Sequence, residues 1–166
     1  MFKSALIVFN ISKQKNIGGL MRTANAMGVS ELILVGRKKK STYGHCGTES
    51  HIPQKHFFQL EDAVCYLREN DYSITGIEIS QQSVKIEQHP FTGNTAFLPG
   101  NEGTGLTEKQ RKLCDQLVYI GQFGNGASLN VNVAAGIVLH HYSIWANFET
   151  NDIESYKFIS RASTLV

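Results

Sequence analysis

No uninterrupted apolar run in these 166 residues approaches the length of a membrane span. The apolar segment inside the first ten residues, MFKSALIVFN, is too short for one and lacks the flanks of a secretion signal. Cysteine is scarce. Cys46, Cys65 and Cys114 are an odd number and widely spaced, which argues against a disulfide framework and fits a reducing compartment. Charge of one sign is lacking too: 16 Lys and Arg against 14 Asp and Glu leave a formal net charge of +2. That balance does not by itself imply a nucleic-acid partner. A P-loop, a dinucleotide fingerprint after the first strand and a Gly-x-Ser-x-Gly elbow are all absent. The expectation is a cytoplasmic globular protein with no membrane partner.

What is present supports a packed core. Hydrophobic residues make up 42% and charged residues 18%, a balance that favours folding over disorder. The length suggests a single domain, assigned to residues 1–150, followed by a polar tail at 151–166. Cys65 falls in an apolar helical pattern and is expected in the core.

Short apolar runs alternate with helical periodicity. Strands are predicted over 5–9, 31–35, 73–79, 95–98 and 117–120. Helices are predicted over 16–27, 60–69, 107–113 and 128–146, with Gly28 as a stop signal and Thr107 as an N-cap. Residues 37–56 read as a long polar loop and 80–93 as an irregular segment. This alternation predicts an α/β fold with a mainly parallel sheet flanked by helices. Ligands of such sheets bind beyond the carboxyl ends of the strands.

Three segments begin at predicted strand ends. The first, Asn16-Ile17-Gly18-Gly19-Leu20-Met21-Arg22-Thr23-Ala24, opens a helix that Asn16 can cap. Its glycines permit close approach, and Arg22 can grip a phosphate with its planar fork. The second, Leu98-Pro99-Gly100-Asn101-Glu102-Gly103-Thr104-Gly105-Leu106, exposes backbone polar groups to a ligand. The Glu102 carboxylate favours a neutral or cationic ligand over a phosphate. The third runs from Ile120 through Gly121, Gln122, Phe123 and Gly124 to Ser128-Leu129-Asn130-Val131-Asn132-Val133-Ala134-Ala135-Gly136. It leads a glycine loop into a helix that Ser128 can cap, with small residues for close packing. Each segment taken alone also has a plain structural reading as a cap, a turn or a packing face.

Charge clusters at Arg37, Lys38, Lys39 and Lys40, and again at Lys109, Arg111 and Lys112. His140 and His141 are adjacent on the last helix and so diverge, while His45, His51 and His56 share one loop. Neither group has the companions of a metal site, and no metal is expected.

In this order, the three segments resemble the signature motifs of the SpoU branch of the SPOUT RNA methyltransferases. Asn-x-Gly-x-x-x-Arg-Thr-Ala is matched from Asn16 to Ala24, Gly-Asn-Glu-x-x-Gly-Leu from Gly100 to Leu106, and Ser-Leu-Asn-Val-x-Val-Ala from Ser128 to Ala134. The resemblance spans nearly the whole chain. It implies a sheet whose C-terminal part threads a deep trefoil knot, a feature otherwise almost absent from proteins. It also implies a homodimer, S-adenosyl-L-methionine as cofactor, and methylation of a tRNA or rRNA ribose 2′-hydroxyl.

The resemblance assigns catalytic roles to Asn16, Arg22, Glu102, Ser128 and Asn130. It assigns cofactor contacts to Ile77, Leu98, Gly100, Glu102, Ile120, Gly121, Gln122, Ser128 and Leu129. A free guanidinium is too basic to lose its proton readily. Arg22 is therefore expected to clamp phosphate and stabilise charge, with the base left open. No appended RNA-binding domain is evident, so RNA contact is expected at Arg22 and at Arg37, Lys38, Lys39 and Lys40. One departure stands out: many relatives carry Ile-Pro-Met where this chain has Ile120-Gly121-Gln122. That change favours the competing expectation, a non-catalytic RNA-binding or assembly factor on the same fold. A third, a nucleotide-binding α/β protein of unrelated function, requires the three matches to be chance.

Overall fold

The computed structural model describes residues 1–36, 52–126 and 128–150. The basic run Arg37 to Lys40, together with His45, Cys46, His51 and the tail at 151–166, lies outside the described residues.

The elements run β1 (Ser4–Phe9), α1 (Gln14–Ala26), β2 (Glu31–Val35), β3 (Gln54–Phe57), α2 (Leu60–Glu69), β4 (Ser73–Ile77), β5 (Val84–Lys85), β6 (Thr95–Pro99), α3 (Glu108–Leu113), β7 (Gln116–Tyr119) and α4 (Val131–Trp145). A 3-10 turn, Ile86–Gln88, follows β5. The strands form one 7-stranded sheet in the order β3-β2-β1-β6-β4-β7-β5. Every pairing is parallel, as the alternation of strand and helix predicts.

Two cores cover the sheet. Leu6 and Val8 of β1 join Leu20, Met21 and Ala24 of α1 and Ala135, Val138 and Leu139 of α4 on one face. Ala5 and Ile7 join Leu60, Ala63, Val64 and Leu67 of α2 on the other. The central strands are therefore apolar on both sides, which explains their continuous apolar runs. On the first face the fully buried Tyr142 places its hydroxyl 2.8 Å from the Lys3 carbonyl oxygen and 3.0 Å from that of Gly93. Desolvation pushes that phenol up to about 12.

Local signals explain most boundaries. Helix α2 carries Glu61 and Asp62 in its first turn and Arg68 in its last, which suits the helix dipole. Thr107 caps α3 as predicted: its Oγ1 accepts from the Gln110 N–H at 3.2 Å, and Gln110 Oε1 accepts from the Thr107 N–H at 2.9 Å. Gly28, just beyond α1, takes the left-handed conformation at φ 71°.

Five expectations are corrected. Strand β3 begins inside the predicted loop at 37–56, and β5 with its 3-10 turn lies within the irregular segment at 80–93. Helix α1 starts at Gln14, so Asn16 stands inside the first turn rather than capping it. Helix α4 starts at Val131, and Asn130 caps it in place of Ser128, its side chain accepting from the Asn132 N–H at 2.9 Å. Cys65 is exposed, because the buried stripe of α2 is Leu60, Ala63, Val64 and Leu67.

Candidate functional site

The loops after β1, β4, β6 and β7 all emerge at the carboxyl edge of the sheet, since all these strands point the same way. There the chain folds around a cavity of about 450 Å³. Its walls come from Ile77, Glu78 and Ile79 at the end of β4, from residues 99–105 at the end of β6, from Tyr119, Ile120 and Gln122 at the end of β7, and from Ser128, Leu129, Val131 and Ala134 around the start of α4.

The second predicted segment folds as a tight loop. Asn101 and Gly105 exchange two backbone hydrogen bonds, at 3.2 and 2.9 Å. Gly105 is left-handed at φ 66°, where an L side chain is strained. A Cβ on Gly100 would stand 3.0 Å from the Gly105 backbone and 3.1 Å from the Leu106 nitrogen. Asn101 Oδ1 accepts from the N–H groups of Gly103 at 2.9 Å and Thr104 at 3.2 Å. Asn101 Nδ2 donates to the Asn10 carbonyl at 2.7 Å, bracing the loop against the end of β1.

Glu102 joins this loop to the first segment. Its carboxylate accepts from Asn16 Nδ2 at 2.8 Å, from the Ser12 N–H and hydroxyl at 3.2 Å each, and from the Lys13 N–H at 3.5 Å. Lys13, the N-cap of α1, offers no side-chain acceptor, so Glu102 supplies a cap from the neighbouring loop. Partial burial pushes its carboxyl up, but hydrogen bonds from Asn16, from its own N–H and from those of Ser12 and Lys13 outweigh this and hold it at about 2.

Asn16 then carries the linkage to the third segment. It is 5% exposed, and its Oδ1 accepts from Asn130 Nδ2 at 3.2 Å. All three segments therefore meet through Asn16, Glu102 and Asn130, beside the cavity. Helices α1 and α4 are locked together farther along by Thr23 Oγ1 donating to Asn132 Oδ1 at 2.8 Å. Gly19 leaves the space that the Asn132 side chain fills, and Gly136 lies against Thr23.

Of the expected cofactor contacts, Ile77, Gly100, Glu102, Ile120, Gln122, Ser128 and Leu129 line the cavity. Leu98 does not: it is fully buried in the sheet, and the next residue, Pro99, takes the place at the wall. Gly121 also stands off the wall, where an added Cβ would come 3.3 Å from Glu87 Oε1. Arg22 is exposed on α1, is not among the residues lining the cavity, and forms no ion pair with any described residue. The run Arg37, Lys38, Lys39 and Lys40 lies outside the described residues.

Sequence reasoning missed Glu78, a carboxylate on the cavity wall whose Oε2 accepts from the Leu106 N–H. A single acidic residue after a strand gives no local signal, and its importance comes from the loop that folds over it. It also missed the pairing of His141 with His89, whose ring nitrogens lie 2.9 Å apart. Burial, followed by the neighbouring His89, lowers the pKa of His141. Among the described residues no helix is long and apolar enough to cross a membrane.

Known proteins resemble this chain in sequence and fold. A tRNA (guanosine(18)-2′-O)-methyltransferase of Escherichia coli K12 is 31% identical over 133 residues, covering 78% of this chain and 58% of the relative. A 23S rRNA (guanosine-2′-O-)-methyltransferase RlmB of Neisseria meningitidis serogroup B is 33% identical over 139 residues, covering 81% and 55%. The chain thus spans little more than half the length of these relatives. The crystal structure of an AdoMet-bound rRNA methyltransferase from Sinorhizobium meliloti superposes with a TM-score of 0.74 at 25% identity, over 86% of this chain and 56% of that one. The model of the SpoU rRNA methylase family matches residues 3–140. With its three signature segments joined through Asn16, Glu102 and Asn130, the chain belongs to the SpoU rRNA methylase family.

Proposed function

We propose that this chain is an S-adenosylmethionine-dependent RNA methyltransferase acting on a ribose 2′-hydroxyl of tRNA or rRNA. The observation that carries this reading is the cavity at the carboxyl edge of the sheet, built by the second and third segments and tied to the first through Glu102. The residues present fit the cofactor. The volume of about 450 Å³ lies within the ~300–1,000 Å³ common for small-molecule sites. Ile77, Ile79, Ile120, Leu129, Val131 and Ala134 offer aliphatic surface for an adenine. The loop from Gly100 to Gly105 lines the cavity with backbone polar groups suited to pair with ring edges. Among the described residues that line it, the only charged side chains, Glu78 and Glu102, are acidic, which suits a ligand of net positive charge.

Bound there, S-adenosylmethionine supplies a methyl group on a positively charged sulfur that departs as a neutral thioether. The protein's own part is binding and positioning. Glu102 and Asn16 fix the start of α1, and so the helix that carries Arg22. The free guanidinium of Arg22 is suited to grip an RNA phosphate bidentately and to stabilise charge developing at the ribose. Asn130, held by Asn16, sets the start of α4, which places Ser128 and Leu129 on the cavity wall. No side chain is assigned as the base that takes the hydroxyl proton, and no metal enters this reading.

Homodimerisation belongs to the same reading. Val133 and Ile144 on α4 are 50% and 56% exposed, and Ile137 lies between them on that face at i+4 spacing. A second copy would cover this stripe. The C-terminal trefoil knot and a cytoplasmic site of action are further parts of the reading. The insertion of β7 between β4 and β5, so that residues on both sides of the second segment line one cavity, supports the knot.

The test is calorimetric titration of S-adenosylmethionine into the wild type and into Gly100→Val, followed by nucleoside analysis of tRNA and rRNA incubated with each. Binding and 2′-O-methylated nucleosides with the wild type, both lost in a folded variant, are expected. A folded wild type that neither binds the cofactor nor methylates RNA would point to the non-catalytic RNA factor.

A further inference from the structure

The two acidic residues of the cavity stand in different circumstances. Glu102 is engaged by Asn16 and by the N–H groups that open α1. Glu78 accepts one hydrogen bond, from the Leu106 N–H to Oε2, and Oε1 has no partner among the described residues. Among the described residues no Lys, Arg or His lines the cavity to balance it. The carboxylate is seated against Gly105, where a Cβ would overlap both of its oxygens, so the glycine loop holds it in one place. Glu78 and the aliphatic Ile77 before it are both half-buried, so the carboxylate is only partly screened by water.

From this we propose that Glu78 is the selectivity residue of the cofactor site, reading the positive charge of the methyl donor. The inference rests on the methyltransferase reading above and extends it. S-adenosylmethionine carries a sulfonium and an ammonium against one carboxylate and is a net cation. S-adenosylhomocysteine, left when the methyl group has gone and the carbon–sulfur electron pair stays on sulfur, is neutral overall. An unbalanced carboxylate in the wall attracts the first and not the second. The transfer that consumes the charge therefore also removes the attraction that held the ligand, which favours exchange of product for fresh donor.

The experiment is calorimetry with three probes: S-adenosylmethionine; sinefungin, whose amine carries a positive charge near the position of the sulfonium; and S-adenosylhomocysteine. The wild type is expected to bind both cations more tightly than the neutral product. Glu78→Gln, which keeps the shape and removes the charge, is expected to weaken both cations by about tenfold or more while changing the product by under about threefold. Glu78→Asp keeps the charge and is expected to keep the preference. Equal weakening of all three probes by a Glu78→Gln protein with wild-type melting would overturn the proposal. So would an unchanged affinity pattern. If Glu78→Gln does not fold, the wild type decides: affinity for the product equal to that for the donor overturns the inference. A folded wild type that binds none of the three rejects the methyltransferase reading itself, a separate result.

Discussion

Asn16 Nδ2 donates to Glu102 Oε1 at 2.8 Å across 86 residues of chain. The asparagine is nearly buried, and its other amide atom accepts from Asn130. One side chain thus serves as donor to the second segment and acceptor to the third. A side-chain amide presents a donor and an acceptor on separate atoms of one plane, which suits this double role.

Replacements at position 16 test that arrangement. Asn16→Ala leaves Glu102 without its shortest partner and Asn130 Nδ2 without an acceptor, which is expected to cost about 1–3 kcal/mol. Asn16→Asp keeps the acceptor for Asn130 but sets a second carboxylate against Glu102, and it is expected to cost more than alanine at neutral pH. Chemical denaturation at pH 7 and at pH 4 decides the point. Asn16→Asp should recover relative to Asn16→Ala as the pH falls and one of the two carboxyls takes up a proton. An aspartate variant as stable as wild type at pH 7 would contradict the network.

Glu102 makes a separate prediction about acid stability. Its carboxyl is held at about 2 against an ordinary value of 4.5. A depressed folded pKa means that the unfolded chain binds the proton more readily. The stabilisation is therefore complete above about 4.5 and is lost as pH falls through about 2. Glu102→Gln should be less stable than wild type at pH 7, and the difference should shrink steadily between pH 5 and pH 2. Thermal unfolding of both proteins across that range provides the measurement. A difference independent of pH would assign the loss to packing rather than to the charge.

The sequence made some of this legible and hid the rest for definable reasons. The bounds of α2 follow from the spacing of Leu60, Ala63, Val64 and Leu67, and those of β2 from an unbroken apolar run. Strand β3 was hidden because Gln54, Lys55 and His56 are exposed on an edge strand, where parallel pairing with β2 supplies the order that no apolar pattern announces. Asn16 carried the right residue type for a cap, but the cap comes from Glu102, a non-local partner that a scan along the chain does not reach. Ser128 and Asn130 are both good capping residues two positions apart, and only the hydrogen bond to the Asn132 N–H selects Asn130. The motifs placed Gly100, Glu102, Ser128 and Leu129 at one cavity, whereas Glu78 joined them only through the fold of the 100–106 loop.

Arg22 is the remaining member of the first segment, and its position suggests how it acts. It is exposed, forms no ion pair with a described residue and does not line the cavity of its own chain. Arg22→Ala should therefore leave stability within about 0.5 kcal/mol of wild type. If the guanidinium stabilises charge during transfer, RNA methylation should fall by roughly 100–1,000-fold with cofactor affinity unchanged. Arg22→Lys should recover little, because an ammonium lacks the planar fork. If Arg22 also works across a twofold dimer, its partner in each site is the cofactor loop of the other subunit. Arg22→Ala subunits keep that loop, and Gly100→Val subunits keep the arginine. Two inactive proteins, unfolded together and refolded as a mixture, should then regain about a quarter of wild-type activity, since half the dimers are mixed and each holds one intact site. Methyl transfer from radiolabelled S-adenosylmethionine to RNA measures it. A mixture as inactive as its parents would place Arg22 in the site of its own chain or outside catalysis altogether.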